Sequence, residues 1–232
     1  MVRVIVVIAI LLMSVSPAAA AERIIGLVSI PEVFGAGPCA AFEPQDVALH
    51  AAPADGKPIA FIRVDQNWSF APHGGCEGLK VSVHRGAAKD DLPTREFDYE
   101  APGAIVLERR DGWIKIRLHG GVAWFKPSPV DRFMPLSDLY EEFVGVTAIN
   151  KSFSARLVST PGMLGGPILP RVAPEQPVRV AEVRDEWVKV EVLNNSVCTA
   201  ADHGPPEVIA TGWLPLHDAN GEPSVWFSSR GC

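Results

Sequence analysis

Two stretches of the sequence share one pattern, and this pattern decides the expected fold. Residues 104–118 read AIVLERRDGWIKIRL, and residues 178–192 read VRVAEVRDEWVKVEV. Each contains Glu-x-Arg-Asp-x-Trp between two apolar-rich runs, and each is followed by another tryptophan, Trp124 or Trp213. After the motif, apolar residues alternate with charged ones, which is the period of a strand with one buried face. The repeat therefore predicts two copies of one β-hairpin.

The residues between the two strands differ between the copies. Asp111 and Gly112 suit a tight hairpin turn, because glycine accepts a positive φ without steric cost. Asp185 and Glu186 are a less favourable pair, so we expect the second hairpin to use a different turn type. The tryptophan that opens each return strand has two interpretations, a side chain that holds the hairpin against the core or an exposed platform for a ligand. Trp213 is expected to close the core.

These residues resemble the bacterial SH3-like (SH3b) domain family. The resemblance is carried by residues 182–190 and 212–215 in the second copy, and by residues 111–116 and 121–124 in the first. It implies an all-β fold of two small SH3-like β-barrels in tandem. It also implies a role as an accessory module that binds cell-wall peptides or other peptides.

The N-terminus has the pattern of an export signal. Arg3 supplies a positive charge, residues 4–13 form an unbroken apolar run, and small residues allow cleavage after Ala20 or Ala21. The run is too short to span a membrane as a helix. We therefore expect a signal peptide over residues 1–21, export across a bacterial inner membrane, and a periplasmic or secreted protein with no membrane span after cleavage.

The repeat predicts two domains after the signal peptide. An SH3-like barrel with a long loop insertion is expected at residues 22–130, and a second barrel at residues 153–232. The connector between them, residues 131–152, is expected to carry a short helical turn within residues 135–143, with Ser137 as its N-cap.

Several further elements are expected inside these domains. Residues 24–30 are expected to be an entry strand or an arm, and residues 144–149 to be extended. Residues 47–50 and 59–64 are expected to open the first barrel, and residues 155–161 the second. Residues 86–95, within the long insertion, are predicted to be a polar loop. Residues 224–232 are predicted to form the last strand.

Composition excludes some classes of function. The 232 residues include 21 basic and 27 acidic side chains, giving a net charge of −6, which disfavours nucleic acid as a partner. The 21 prolines and 20 glycines suit many short strands and turns. We find no Gly-rich phosphate loop, no paired-carboxylate spacing and no Gly-x-Ser-x-Gly motif. We therefore expect no cofactor and no metal.

The chain has four cysteines, Cys39, Cys76, Cys198 and Cys232. An even number of cysteines in an exported protein predicts disulfides. Three pairings are possible. We favour Cys39–Cys76 and Cys198–Cys232, because each pair then falls within one half of the chain.

The candidate ligand-binding residues lie in the long insertion of the first half. Trp68 stands in a polar context and is the best candidate for an exposed aromatic side chain, with Phe70 and His73 close by in the sequence. On the last strand, Trp226 and Phe227 are expected to face opposite sides of the sheet.

Three functions are compatible with the sequence. The favoured one is an exported, non-enzymatic binding or scaffold protein of the cell envelope that recognises a peptide, a cell-wall fragment or an envelope protein. The alternative is a cell-wall hydrolase or transpeptidase using Cys76 and His73. Residues 73–76 (HGGC) are similar to the Ser-His-Gly-Cys segment of exported L,D-transpeptidases, although the serine is missing and one glycine is extra. The third is a purely structural adaptor that works by protein contact.

Overall fold

The computed structural model describes residues 21–30, 45–54, 56–64, 69–70, 76–77, 80–98, 101–142, 147–162, 169–199 and 204–227. This part of the chain is all-β, apart from one short α-helix and a single 3₁₀ turn. None of its helices is long and apolar enough to cross a membrane. The predicted signal peptide lies outside the described residues, except for Ala21.

The strands fall into a larger group before the helix and a smaller group after it. Before the helix lie β1 (Gly26–Ser29), β2 (Val47–Leu49), β3 (Ala60–Val64), β4 (Ser69–Phe70), β5 (Cys76–Glu77), β6 (Val81–Arg85), β7 (Ala88–Asp91), β8 (Thr94–Asp98), β9 (Ala101–Arg110), β10 (Trp113–Leu118), β11 (Gly121–Phe125) and β12 (Arg132–Pro135). The helix α1 (Leu136–Glu142) is followed by β13 (Thr147–Ile149), β14 (Pro177–Arg184), β15 (Trp187–Leu193), β16 (Val208–Pro215) and β17 (Val225–Phe227).

Two antiparallel sheets have the same strand order. The first has the order β11-β10-β9-β1-β12, with β8 also paired to β9, and the second has the order β16-β15-β14-β13-β17. If β8 is left out of the count, both orders along the chain are fourth, third, second, first, fifth. Both sheets are open in the described part of the chain, and each ends at edge strands, so the two predicted SH3-like barrels are not confirmed. The prediction of an all-β fold is therefore confirmed, and the two halves share one topology.

The repeated sequence forms the predicted hairpin in both halves. In the first, Arg110 pairs with Trp113 across the turn, and in the second, Arg184 pairs with Trp187. Each hairpin also contains a register irregularity, between Lys115 and Ile116 or between Val180 and Glu182. The motif thus places a tryptophan at the start of each return strand.

The two hairpin turns differ, as predicted. In the first turn, Asp111 and Gly112 both have a positive φ, 52° and 77° respectively. In the second turn only Asp185 does, with a φ of 51°. Glu186 therefore stays out of the left-handed region, which a long side chain enters only at a cost.

The predictions of which strand comes first in each half are wrong. Residues 47–50 and 59–64 contribute to a separate sheet of order β2-β3-β6-β7, and β1 is the first strand of the larger sheet. In the second half, the first strand is β13, and residues 155–161 contribute isolated bridges instead of a strand. Both true first strands are short and mostly buried. The sequence predicts extended chain there, but no alternating pattern marks these segments as the first strands.

The prediction of a polar loop at residues 86–95 is also wrong. This range contains β7 and the start of β8. All four residues of β7 are exposed, and the strand is held by backbone pairing with β6. An exposed edge strand needs no apolar side chains, and periodicity therefore missed it.

The predicted connector contains more regular structure than a linker. The predicted helix is confirmed as α1, although it begins at Leu136, so Ser137 lies in its first turn and is not its N-cap. Strands β12 and β13 lie on either side of α1, within residues 131–152, and pair into the first and second sheets respectively.

Two apolar clusters form the core. One lies between the larger sheet, which contains β1 and β8 to β12, and the inserted β2-β3-β6-β7 sheet. It includes Ile62, Ile116 and Phe125. The other is shared by the two halves and joins residues such as Leu27 and Leu139 to others such as Val188. We call this second cluster the shared core.

Two long-range hydrogen bonds accompany the shared core. The N–H of Ile24 donates to the carbonyl of Gly221 at 2.9 Å, and the hydroxyl of Tyr140 donates to the carbonyl of Val225 at 2.8 Å. Gly221 has a φ of 79°, and a side chain there would collide with the backbone carbonyl of Glu22. The halves therefore approach each other at a position that requires glycine.

Candidate functional site

The candidate binding residues predicted from the sequence fall almost entirely outside the described part of the chain. Trp68 and His73 lie outside the described residues, and Phe70 is described only as part of the short strand β4. The proposed ligand surface around these residues stays a prediction. The same holds for the alternative enzyme, whose nucleophile would be Cys76 and whose base would be His73.

The cysteines are only partly described. Cys198 lies in a 3₁₀ turn, Val197–Thr199, and is disulfide-bonded. Cys39 and Cys232 lie outside the described residues, and Cys76 is described only as part of β5. The pairings Cys39–Cys76 and Cys198–Cys232 therefore stay predictions.

The repeated motif builds the same side-chain cluster in both halves. The guanidinium of Arg110 lies over the ring of Trp124, with 4.9 Å from its carbon to the ring centroid, and Lys115 lies 5.7 Å from the same centroid. In the second half, Arg184 and Lys189 lie 5.0 and 6.0 Å from the centroid of Trp213. We call each group of two cations and one tryptophan a cation–Trp cluster.

A glutamate of the motif holds the arginine in each cluster. Glu108 lies 3.7 Å from Arg110, and the Nε of Arg184 donates to Glu182 at 3.0 Å. The Glu-x-Arg part of the motif therefore positions a cation over a tryptophan of another strand. This arrangement gives the motif a structural role.

Trp213 is buried in a way that the sequence did not predict. Only 6% of its surface is exposed, yet it belongs to neither apolar cluster. Its neighbour Leu214 lies in the shared core and pairs with Val188, so Trp213 points to the opposite face, next to Lys189. Its burial thus occurs on the outer face of the sheet and does not close the core.

The tryptophans that open the return strands are half-buried in both halves. Trp113 meets His50 edge to face, with the ring centroids 5.2 Å apart. His50 in turn pairs with Trp124 through backbone hydrogen bonds of 2.7 and 2.8 Å. In the first half this tryptophan therefore joins the inserted sheet to the larger one.

A pocket of the described structure lies beside β13 and β17, where the two halves meet. Its volume is about 420 Å³. It is lined by Arg95, Thr147, Ala148, Ile149, Asn150, Lys151, Glu175, Pro177, Ser196, Trp226 and Phe227. We call it the junction pocket.

The apolar part of the junction pocket is a row of residues across three strands. Ala148 on β13 is the register partner of Pro177 on β14 and of Trp226 on β17. These three residues share the outer face, because the next residues on each side of Ala148, Thr147 and Ile149, are buried. The small side chain of Ala148 leaves room between Pro177 and Trp226.

Trp226 and Phe227 alternate in burial, as their positions on one strand require. Phe227 is buried in the shared core, and Trp226 is half-buried at the pocket. Their rings nevertheless stack, with centroids 5.0 Å apart and planes 22° apart. The stack connects the wall of the pocket to the core, which restricts the position of Trp226.

Arg95 brings a positive charge to this apolar row from the other half of the chain. It lies on β8, and its guanidinium carbon is 4.4 Å from the ring centroid of Trp226. Its side chain is 35% exposed and lies 3.7 Å from Glu222. Burial lowers the pKa of Arg95, while the negative charge of Glu222 opposes this effect. A guanidinium remains protonated through such a shift at neutral pH.

Sequence reasoning missed Arg95, because residues 86–95 were predicted to be a polar loop. Trp226 was recognised as an aromatic residue on the last strand, but nothing in the sequence linked it to Arg95. The described residues contain no group of three or more His, Cys, Asp or Glu side chains that could hold a metal ion.

Comparison with known proteins adds no further assignment, since no family model, curated protein or solved structure matches the chain. The candidate site is therefore described by its geometry alone. It is a small concave surface with an aromatic wall at Trp226, a floor at Ala148 and the guanidinium of Arg95.

Proposed function

We propose that the chain is a non-enzymatic binding protein of the bacterial cell envelope, built from two SH3-like modules. The identical strand order of the two sheets supports two related modules. The repeated hairpin and the two cation–Trp clusters support the same view. Its ligand is a peptide, either free, in a cell-wall fragment or in an envelope protein.

Export to the envelope is supported by two features of different kinds. The N-terminal sequence has the pattern of a signal peptide. Cys198 is disulfide-bonded, which is typical of oxidising compartments such as the periplasm.

The observation that carries the binding proposal is the junction pocket. Trp226 supplies a half-buried aromatic surface that stacking on Phe227 holds in place, and such residues dominate binding energy at interfaces. Arg95 adds a charged group that reaches the pocket from the first half. A ligand in this pocket therefore contacts both halves at once.

The test is binding of the full, disulfide-intact protein to isolated cell-wall sacculi and to solubilised envelope peptides. We expect Trp226→Ala to weaken binding at least about tenfold, because loss of a central tryptophan commonly costs 2 kcal/mol or more. Trp187→Ala is the matched control, since Trp187 is also half-buried but lies outside the pocket. Equal losses in both variants, or no binding by the unmodified protein, would contradict the proposal.

A further inference from the structure

The charged groups around the junction pocket do not balance. Arg95 and Arg117 both approach Glu222: Arg117 donates to one carboxylate oxygen, and Arg95 lies 3.7 Å from the other. Lys151 and Glu175 form a separate exposed pair 3.4 Å apart. Among the described residues, two guanidinium groups therefore share one carboxylate, which leaves one positive charge in excess at this end of the pocket.

The donors of Arg95 are not used by the described part of the chain. Its guanidinium makes no hydrogen bond to any described residue, and 3.7 Å to Glu222 is beyond hydrogen-bond distance. The guanidinium carbon lies over the ring of Trp226, 4.4 Å from its centroid, and the N–H groups lie along the edge of the guanidinium plane. A guanidinium held in this way is prepared to bind a planar anion through two parallel hydrogen bonds.

The surroundings of Arg95 favour a carboxylate attached to a small apolar group. The floor at Ala148 and the walls at Pro177 and Trp226 form an apolar surface beside the guanidinium. The net charge of the chain is −6, which opposes long polyanions. A peptide that ends in a small residue with a free carboxylate matches both parts of the pocket.

We propose that the junction pocket recognises the C-terminal carboxylate of a peptide, with Arg95 binding the carboxylate and Trp226, Ala148 and Pro177 receiving the terminal side chain. This inference rests on the proposed function, because it names the chemical group that the same pocket selects. It makes Arg95 the residue that determines specificity.

The experiment measures calorimetrically the binding of acetyl-Ala-Ala-Ala, once with a free C-terminal carboxylate and once as the C-terminal amide. We expect the acid to bind at least about tenfold more tightly than the amide, since the amide carries no charge for the guanidinium to pair with. A pair of peptides ending in D-Ala and L-Ala then distinguishes a cell-wall source from an ordinary protein C-terminus.

Three variants show whether Arg95 is responsible. Arg95→Gln should abolish the difference between acid and amide, and Arg95→Lys should retain a reduced difference, because lysine keeps the charge but lacks the planar pair of donors. Arg179→Gln, at an exposed arginine of β14 paired with Glu191, should leave the difference unchanged. Melting temperatures measured in parallel show that each variant is folded.

The outcomes separate this inference from the proposed function. If the protein binds sacculi or envelope peptides through Trp226 but does not distinguish acid from amide, only the carboxylate inference fails. The same conclusion follows if Arg95→Gln retains the preference for the acid. If the unmodified protein binds neither peptide nor any envelope material, both proposals fail.

Discussion

Glu182 holds Arg184 against the ring of Trp213, and Glu108 does the same for Arg110 and Trp124. Trp124 and Trp213 are more than nine-tenths buried although neither belongs to an apolar cluster. Charged side chains with long aliphatic stems can bury an aromatic ring in this way while their charged ends reach water. The motif is therefore explained by the packing of its charged side chains against a tryptophan in each half.

A double-mutant cycle tests this packing. We expect Arg184→Ala and Trp213→Phe to be coupled by about 0.5–1 kcal/mol in the free energy of unfolding, the range of a partly exposed cation–π contact. Arg179→Ala combined with Trp213→Phe is the control and should show a coupling near zero, because Arg179 pairs with Glu191 and not with the tryptophan. Chemical denaturation provides the measurement. A coupling near zero between Arg184 and Trp213 would show that the cation–Trp cluster does not contribute to stability.

Tyr140 should make the free energy of unfolding depend on pH in the alkaline range. Its side chain is buried and donates to the carbonyl of Val225, and burial raises the pKa of its hydroxyl, an effect that the nearby positive charge of Arg95 partly opposes. The unfolded chain ionises this group at its ordinary pKa of about 10, whereas the folded chain keeps the proton. Stability from this residue is therefore complete below pH 10 and falls as the pH rises above it.

We expect this loss to approach about 1.4 kcal/mol per pH unit well above pH 10, which is the value for one proton. Tyr140→Phe should reduce the steepness by that amount and, at neutral pH, should cost about 1 kcal/mol through the lost hydrogen bond. Urea denaturation at several pH values between 8 and 12 gives both quantities. An unchanged pH dependence in the variant would show that Tyr140 is not responsible.

At the scale of elements, the two hairpins have one pattern of pairing and two kinds of turn. Gly112 occupies the left-handed region with a φ of 77°, whereas its counterpart Glu186 does not have a positive φ. A Cβ at Gly112 would meet no atom within 4 Å, so only backbone strain opposes a side chain there.

Because only Gly112 has a positive φ, an alanine substitution should lower stability more at Gly112 than at Glu186. Gly112→Ala should destabilise the protein by about 1–2 kcal/mol, the cost of placing an alanine in the left-handed region. Glu186→Ala should cost no more than about 1 kcal/mol, since it removes only an exposed ion pair with Arg23. Thermal and urea unfolding of the two variants give the comparison, and equal effects would mean that turn geometry does not govern these hairpins.

The inserted segment also contributes to the candidate site. Strand β8 pairs with β9 at the end of the long insertion and carries Arg95 to the junction pocket. An element that periodicity classed as loop thus supplies the charged group of the candidate site. Its position depends on backbone pairing with β9, and not on an amphipathic pattern of its own.

At the scale of the whole molecule, the two halves bury apolar residues in one shared core. Apolar residues of β1, α1 and the second sheet form a single buried cluster. We therefore expect calorimetry to show one cooperative transition, with the calorimetric and van't Hoff enthalpies equal. Two resolved transitions would show that the halves unfold independently.

A substitution at the contact between the halves extends this test. Gly221→Ala introduces both left-handed strain and a collision with the backbone of Glu22, whereas Gly120→Ala introduces only strain, since no atom lies within 4 Å of its Cβ position. Gly120→Ala should cost about 1–2 kcal/mol, and Gly221→Ala clearly more, because the halves must move apart. The transition should shift to lower temperature without splitting if the halves remain one unit.

The sequence alone determined the class of fold and the repeated hairpin. Alternation of apolar and charged residues is a local property of a strand, so residues 113–118 and 187–193 could be assigned without any knowledge of their neighbours. The need for a different second turn also followed from Asp185 and Glu186, because backbone preferences belong to individual residues.

Only the tertiary structure decided which elements meet. The exposed strand β7 and the buried strands β1 and β13 lack an alternating pattern, so their places in the sheets depend on backbone pairing with distant segments. The junction pocket has the same origin. Arg95 and Trp226 are brought together because both halves bury their apolar surfaces in one shared core, and burial of that kind is a property of the whole chain.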